Sequence, residues 1–353
     1  MVAIASCRSQ LEQFSNELLL DIFEYLDGYD LCQAFYGLNY RINTLLKSVQ
    51  LHIVLKSEKN NPIIWQTLST CMSPLQVRAL SIYEDMDVET IVPWSCNENV
   101  CSLRLTDVSP EYLNQICERL PVDNRLKSFQ INQKTKYFDS NVHHAMINAL
   151  LVTYGDRFRS LANLAIQRIT ILDFPSVSMK FLSLRHLILD SQFYDVKLFP
   201  FLNENTPNLR SLKLSGMYQV TAMPVVPVKH IRELHLEGIG EMVISSNFFE
   251  YFPNIRRLHM NWAYSSRQNL LFNGKQWQRI IETYLPHLKQ WTIVFSDGVS
   301  QDITQSFYIG DFWLSKKVNV KSIINKAQSR YRLIRSIYFG KQWSFAYISD
   351  RDF

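Results

Sequence analysis

His235 and His259 occupy the fifth position of two matching hexapeptides, IRELHL and IRRLHM, 24 residues apart. If the two hexapeptides lie as neighbouring parallel strands, ~4.8 Å apart, their imidazoles fall side by side. Two imidazoles could begin a metal site, but zinc needs a third protein ligand and the sequence offers none nearby. No metal site and no cofactor are expected. His143 and His144 are consecutive in a helix-like stretch, where neighbours point ~100° apart and cannot chelate as an i, i+4 pair would. Cys96 and Cys101 have no second cysteine pair to complete a zinc site. HExxH, GxSxG and P-loop patterns are absent, and the GxG at Gly238 to Gly240 lacks the third glycine. Asp21 and Glu24 read as the solvent face of a helix. With no catalytic constellation, a binding function is expected rather than an enzyme.

The elements that carry these residues repeat. The unit apolar-x-x-apolar-x-apolar reads VRALSI at Val77, VCSLRL at Val100, LKSFQI at Leu126, LANLAI at Leu161 and LRHLIL at Leu184. It continues as LRSLKL at Leu209, IRELHL at Ile231, IRRLHM at Ile255 and LKQWTI at Leu288, with a weaker copy, IRSIYF, at Ile334. Six of the nine intervals between copies are 22 to 26 residues, within the ~20–29 window of leucine-rich repeats. Helix-like stretches fill the intervals, among them EYLNQICERL, VHHAMINALLVTY and WQRIIETYL. Proline precedes the strand signal in TPNLRSL, FPNIRRL and LPHLKQW, where it ends a helix and extends the chain. One such unit cannot bury its own strand and helix, whereas stacked units form a continuous core under a curved parallel sheet.

Alternation along a strand sends the third and fifth positions outward, onto the concave side. In the middle copies these are His186 and Ile188, Ser211 and Lys213, Glu233 and His235, Arg257 and His259, then Gln290 and Thr292. His186, Lys213, Glu233, His235, Arg257 and His259 are the candidate ligand contacts; a solvated polar face is the competing reading. The second position is basic in eight of ten copies, at Arg78, Lys127, Arg185, Arg210, Arg232, Arg256, Lys289 and Arg335. Stacking aligns them along one rim, where they could attract an acidic partner or phosphate or simply stay solvated. NVKSIINKAQSRY has a helical period and, with the strand-like IRSIYFGKQWSFAYI, is expected to cap the solenoid.

Ahead of the repeats, FSNELLLDIFEYLDGYDL concentrates leucine and aromatic residues in eighteen positions. Ser15 is an N-cap, Phe14 and Leu19 are spaced as a hydrophobic staple, and Leu18, Ile22 and Leu26 form a helical stripe. Gly28 is expected to stop this helix, Asp30 to cap a second, and a third to span about Arg41 to Leu46. The chain has 353 residues, 47% of them hydrophobic, with a net charge of +5 and no dense basic block, so neither nucleic acid nor membrane is an expected partner. Six cysteines without a CxxC pair, no N-x-[ST] sequon, no secretory-type N-terminus, no myristoylation or prenylation signal and no ~20-residue apolar run predict a reduced, soluble, intracellular protein, cytoplasmic or also nuclear.

The run Leu18 to Leu26, followed by Asp30-Leu31, resembles the F-box family, over roughly Phe14 to Lys47. Ser15 stands where that family usually has proline. The resemblance implies an α/β chain with a three-helix F-box at residues 10–50, a connecting segment at 51–75, and a leucine-rich-repeat domain at 76–353 with an irregular cap from about 295. It implies docking on the Skp adaptor of an SCF ubiquitin ligase, and through it on a cullin, while the repeats hold an unidentified protein client. Phe14, Glu17, Leu18, Ile22, Phe23, Leu26, Asp30, Leu31 and Phe35 would then contact the adaptor. The alternative is a non-catalytic leucine-rich-repeat scaffold or binding protein without ligase activity. A three-helix piece of ~35 residues has too little core to stand alone.

Overall fold

A computed structural model describes residues 10–56, 71, 73, 76–86, 98–133, 140–172, 174, 179–194, 197–216, 219–220, 226–238, 246–263, 273–296, 307, 311–316, 319–327 and 330–339. The first nine residues, the GxG beyond Gly238, Cys7, Cys96, most of 57–75 and the terminal 340–353 lie outside them. Three short helices come first: α1 (Asn16–Glu24), α2 (Gly28–Phe35) and α3 (Tyr40–Leu46). Ser15 caps α1, its hydroxyl accepting from the Leu18 N–H at 3.3 Å. Asn39 caps α3 by accepting from the Ile42 N–H at 2.8 Å.

The junction of α1 and α2 differs from expectation. Asp27, not Asp30, caps α2, accepting from the N–H groups of Tyr29 and Asp30. Gly28 begins that helix instead of ending α1. Its role is close approach: a Cβ there would sit 3.1 Å from Ile53 Cγ1 and 3.6 Å from the His52 carbonyl oxygen. The glycine therefore lets α2 lie directly on the strand that follows.

That strand, β1 (Leu51–Lys56), was expected to be part of a connector. It pairs in parallel with β2 (Val77–Tyr83) and starts the sheet. Leu51, Ile53 and Leu55 are buried with a period of two. The strand lacks the six-residue spacing of the later units, which is why the repeat pattern passes over it.

The remaining elements follow in order. They are β3 (Ser102–Thr106), α4 (Pro110–Arg119), β4 (Ser128–Asn132), α5 (Ser140–Asn148), β5 (Asn163–Leu172), β6 (His186–Tyr194) and α6 (Leu198–Asn205). Then come β7 (Ser211–Ser215), β8 (Gln219–Val220), β9 (Glu233–Glu237), β10 (Arg257–Ala263), α7 (Gly274–Tyr284), β11 (Gln290–Ser296) and α8 (Asp311–Ser315). The last described elements are β12 (Asn319–Ala327) and β13 (Arg330–Phe339). Strand order is β1-β2-β3-β4-β5-β6-β7-β9-β10-β11-β13-β12, with β8 beside β6. The ten strands from β1 to β11, β8 aside, form one parallel α/β sheet.

The last two strands correct the sequence reading. NVKSIINKA is strand β12, not a helix, and the tenth repeat copy lies in β13, antiparallel to β11. Val320, Ile323 and Ile324 are β-branched and lose less in a strand than in a helix. An antiparallel hairpin also needs only a short turn, where another parallel strand would need a crossover of a dozen or more residues.

The apolar positions enter one core. At β7, β9 and β10 and the residues leading into them, the triplets Leu209/Leu212/Leu214, Ile231/Leu234/Leu236 and Ile255/Leu258/Met260 are all at most 2% exposed. Each fully buried side chain of this size contributes about 1.5–3 kcal/mol. Asparagines just before the strands tie one unit to the unit before it: Asn208 Nδ2 donates to the Leu182 carbonyl (2.9 Å) and Asn254 Nδ2 to that of Lys229 (2.7 Å). Near the C-terminal end, Trp291 packs at 5.4 Å from both Trp277 and Trp313, and Trp313 Nε1 donates to the Gly274 carbonyl. Leu19, Phe23 and Leu31 of the helices belong to the same continuous core as the strands.

Candidate functional site

Two surfaces gather the residues singled out by the sequence. The first is the outer side of α1–α3. Phe14, Leu18, Tyr25, Tyr36, Leu38 and Tyr40 are all exposed there, Leu18 by 44%. Ile22, Leu26 and Phe35 lie half-buried against the core. Two of the expected contact residues sit elsewhere: Phe23 (1% exposed) and Leu31 (0%) are inside the molecule, with the Phe23 ring 4.8 Å from that of Phe35. An i, i+4 stripe on a helix marks the apolar side but not which members face inward, and here Leu19 and Phe23 are the inward members. Glu17 and Asp30 are exposed. The Glu17 carboxylate accepts hydrogen bonds from its own backbone amide and from Ser15, which hold its pKa below the ordinary value. Arg41 locks the unit, donating from Nη2 to the Phe14 carbonyl and from Nε to Asn16 Oδ1 (2.6 and 2.8 Å).

The second surface is the polar face of the sheet. Parallel register aligns the fifth positions as Ser81, Arg104, Gln130, Ala165, Ile188, Lys213, His235, His259 and Thr292 across β2 to β11. His235 and His259 are direct partners in register, with ring centroids 5.9 Å apart. They are less open than expected: His235 is 6% exposed and His259 half-buried, because neighbouring rows crowd them. Burial pushes the His235 pKa down to about 3, helped by the nearby cationic or polar groups of His259, Lys213, Arg257 and His186. Burial likewise lowers His259 to about 4, with Lys213 acting in the same sense and Glu237 opposing. Both imidazoles are therefore neutral near pH 7.

Around them the charges are paired. Arg257 Nη1 meets Glu233 Oε1 at 2.7 Å, and Lys213 Nζ meets Glu237 Oε2 at 2.8 Å. His186 is exposed one strand further along. The structure thus brings Lys213, Glu233, His235, Arg257 and His259 into one patch, with His186 at its margin.

The N-terminal half of this face is built differently, and sequence reading missed it. Arg104 Nε donates to Gln130 Oε1 (2.9 Å), and Gln130 Nε2 donates to Gln167 Oε1 (2.6 Å). His52 Nε2 lies 3.2 Å from the Ser81 hydroxyl. Ser81, Arg104 and Gln130 are each under 7% exposed, so this half is a closed polar ladder and not an open face. The signal was available, since Ser81, Arg104 and Gln130 hold the motif position of His235. Among the described residues no group of three or more His, Cys, Asp or Glu side chains converges to hold a metal. Nor is any described helix long and apolar enough to cross a membrane. Neither a protein-family model nor a curated protein matches the chain.

Proposed function

We propose that this chain is the substrate-recognition subunit of an SCF-type ubiquitin ligase. In this reading α1–α3 are an F-box that docks on the Skp adaptor and through it on a cullin. The stacked strands and helices are leucine-rich repeats whose polar face, around Lys213, Glu233, His235, Arg257 and His259, holds a client protein. The chain supplies geometry: holding a client beside the ligase raises its effective concentration at the transfer site.

The observation that carries this reading is the exposed apolar row Phe14, Leu18 and Tyr25 on a helical unit whose inner side is already buried. Hydrophobic surface left outside a completed core is what a docking partner would cover. The sequence around that row, with its Asp30-Leu31 step, supports the F-box assignment. Affinity capture of the full chain tests it. Adaptor and cullin should co-purify, and a client trapped on the repeats should receive ubiquitin.

One observation favours a second reading. α2 lies directly on β1 through Gly28, so the helices also cap the end of the sheet. A leucine-rich-repeat scaffold without ligase activity needs only this inner contact. The readings differ in what the outer side of α1 does, and capture of a client without adaptor and cullin selects the scaffold.

A further inference from the structure

The basic column at the second position of the repeats is not used uniformly. Backbone hydrogen bonds align it: the N–H of Arg232 donates to the Arg210 carbonyl (2.9 Å), and that of Arg256 to the Arg232 carbonyl (2.7 Å). Two other members of the column serve the fold, Arg78 donating to the Asn99 carbonyl and Arg185 to the Asn208 carbonyl. Arg210, Arg232 and Arg256 are exposed, and among the described residues their guanidinium groups form no ion pair or side-chain hydrogen bond. Instead they line a pocket of about 340 Å³, together with Lys229, His230 and His287. No acidic side chain lines it. The contrast with the polar face, where Lys213 and Arg257 each have a carboxylate, is sharp.

We propose that this pocket, at the strand-start rim of β7, β9 and β10, is a binding site for a phosphate monoester. Three guanidinium groups launched from adjacent strands, ~4.8 Å apart, can converge on one dianion. Their planar forks match phosphate oxygens in pairs, and phosphate monoesters carry close to two negative charges at pH 7. The volume is at the low end for a ligand site, enough for one phosphorylated group and a little of what carries it. The column runs on to the exposed Lys289 of the next repeat, but a lysine is a point charge without the paired fork of arginine, so the three guanidinium groups favour one compact dianion over a long polyanion. The ester could be a phosphorylated side chain or a small soluble metabolite; that a client would present the former rests on the receptor reading above.

The test uses the full chain and a degenerate peptide library fixed only at a central phosphoserine or phosphothreonine, read by fluorescence anisotropy. Its unphosphorylated twin, free O-phosphoserine and a single-stranded DNA oligonucleotide complete the set. Phosphorylated peptides should bind roughly tenfold or more tightly than the twin, as expected for paired guanidinium–phosphate contacts. The double variant Arg232→Gln/Arg256→Gln should abolish the difference, and Lys127→Gln, in the same column but far from the pocket, should preserve it. Competition by O-phosphoserine as effective as the library's own binding assigns the site to small soluble esters. Equal affinity for both libraries with no binding of O-phosphoserine, tighter binding of the oligonucleotide, or undiminished phosphate preference in a folded double variant overturns the proposal. Adaptor capture on the same preparations separates the two claims: lost capture with retained phosphate binding defeats the receptor reading alone, and the reverse defeats the pocket alone.

Discussion

The sheet and the N-terminal helices solve burial in opposite ways. In the sheet, alternation sends Leu209, Leu212 and Leu214 and their counterparts inward and leaves the other side to polar groups. The helices bury Leu19, Phe23 and Leu31 but leave Phe14, Leu18, Tyr25, Tyr36, Leu38 and Tyr40 outside, six of the eleven large hydrophobic residues exposed among the described residues. These six fall within 27 residues of chain, so the excess is local and not a general feature of the surface. Helices of seven to nine residues have room for one inward stripe each. Apolar residues beyond that stripe serve something other than this chain's own core.

The inward and outward members of α1 should therefore respond oppositely to substitution. Phe23→Ala removes a fully buried ring and should cost about 3–5 kcal/mol of stability in denaturant unfolding. Leu18→Asp, on the exposed side, should stay within about 0.5 kcal/mol of the parent in the same assay. Equal losses would mean that both sides of α1 serve the core.

In the sheet the turn after β7 is the next most sensitive point. Gly216 has φ +75°, and a Cβ there would meet the Ser191 carbonyl oxygen at 2.9 Å. Gly216→Ala should cost about 1–3 kcal/mol, because both the backbone conformation and the space exclude a side chain. No loss would mean that β6 and β7 can shift apart at their ends.

The effect of the histidine pair appears only at acid pH. Free histidine titrates near 6.5, whereas His235 and His259 are held to about 3 and about 4. The unfolded chain takes up their protons first, so their contribution is intact above about pH 6.5 and is lost as pH falls toward 4 and 3. At pH 5 each imidazole should lower stability by on the order of 1–2 kcal/mol. Melting of His235→Gln/His259→Gln should show a flatter acid limb than the parent; an unchanged limb would place the sensitivity elsewhere.

Much of this architecture is legible in the residues. The six-residue unit marks the strands β2 to β7 and β9 to β11, and proline marks the approach to three of them, β7, β10 and β11. Ser15 and Gly37, the latter at φ +81°, behave as their types predict. What escaped was set by partners far away in sequence. Gly28 looks like a helix stop until Ile53 is seen against it. β1 and β12 lack the repeat spacing and are fixed by the strands they pair with. Phe23 and Leu18 look alike in a stripe, and only the packing of α1 in the folded chain, with Phe23 against Phe35 of α2, decides which faces out. The positions of the polar patch were legible, but its burial was not, because His235 is covered by side chains from adjacent repeats.

Binding of the Skp adaptor to the intact chain and to Leu18→Asp, measured by calorimetry, addresses the role of the helices most directly. Leu18 is a better probe than Ile22, which is half-buried against the core and so mixes docking with folding. The expected result is a one-to-one complex with the parent and a loss of roughly a hundredfold in affinity for the variant, as for a central apolar anchor, with both proteins melting at the same temperature. Absence of adaptor binding by the folded parent, or equal affinity of parent and variant, would contradict it.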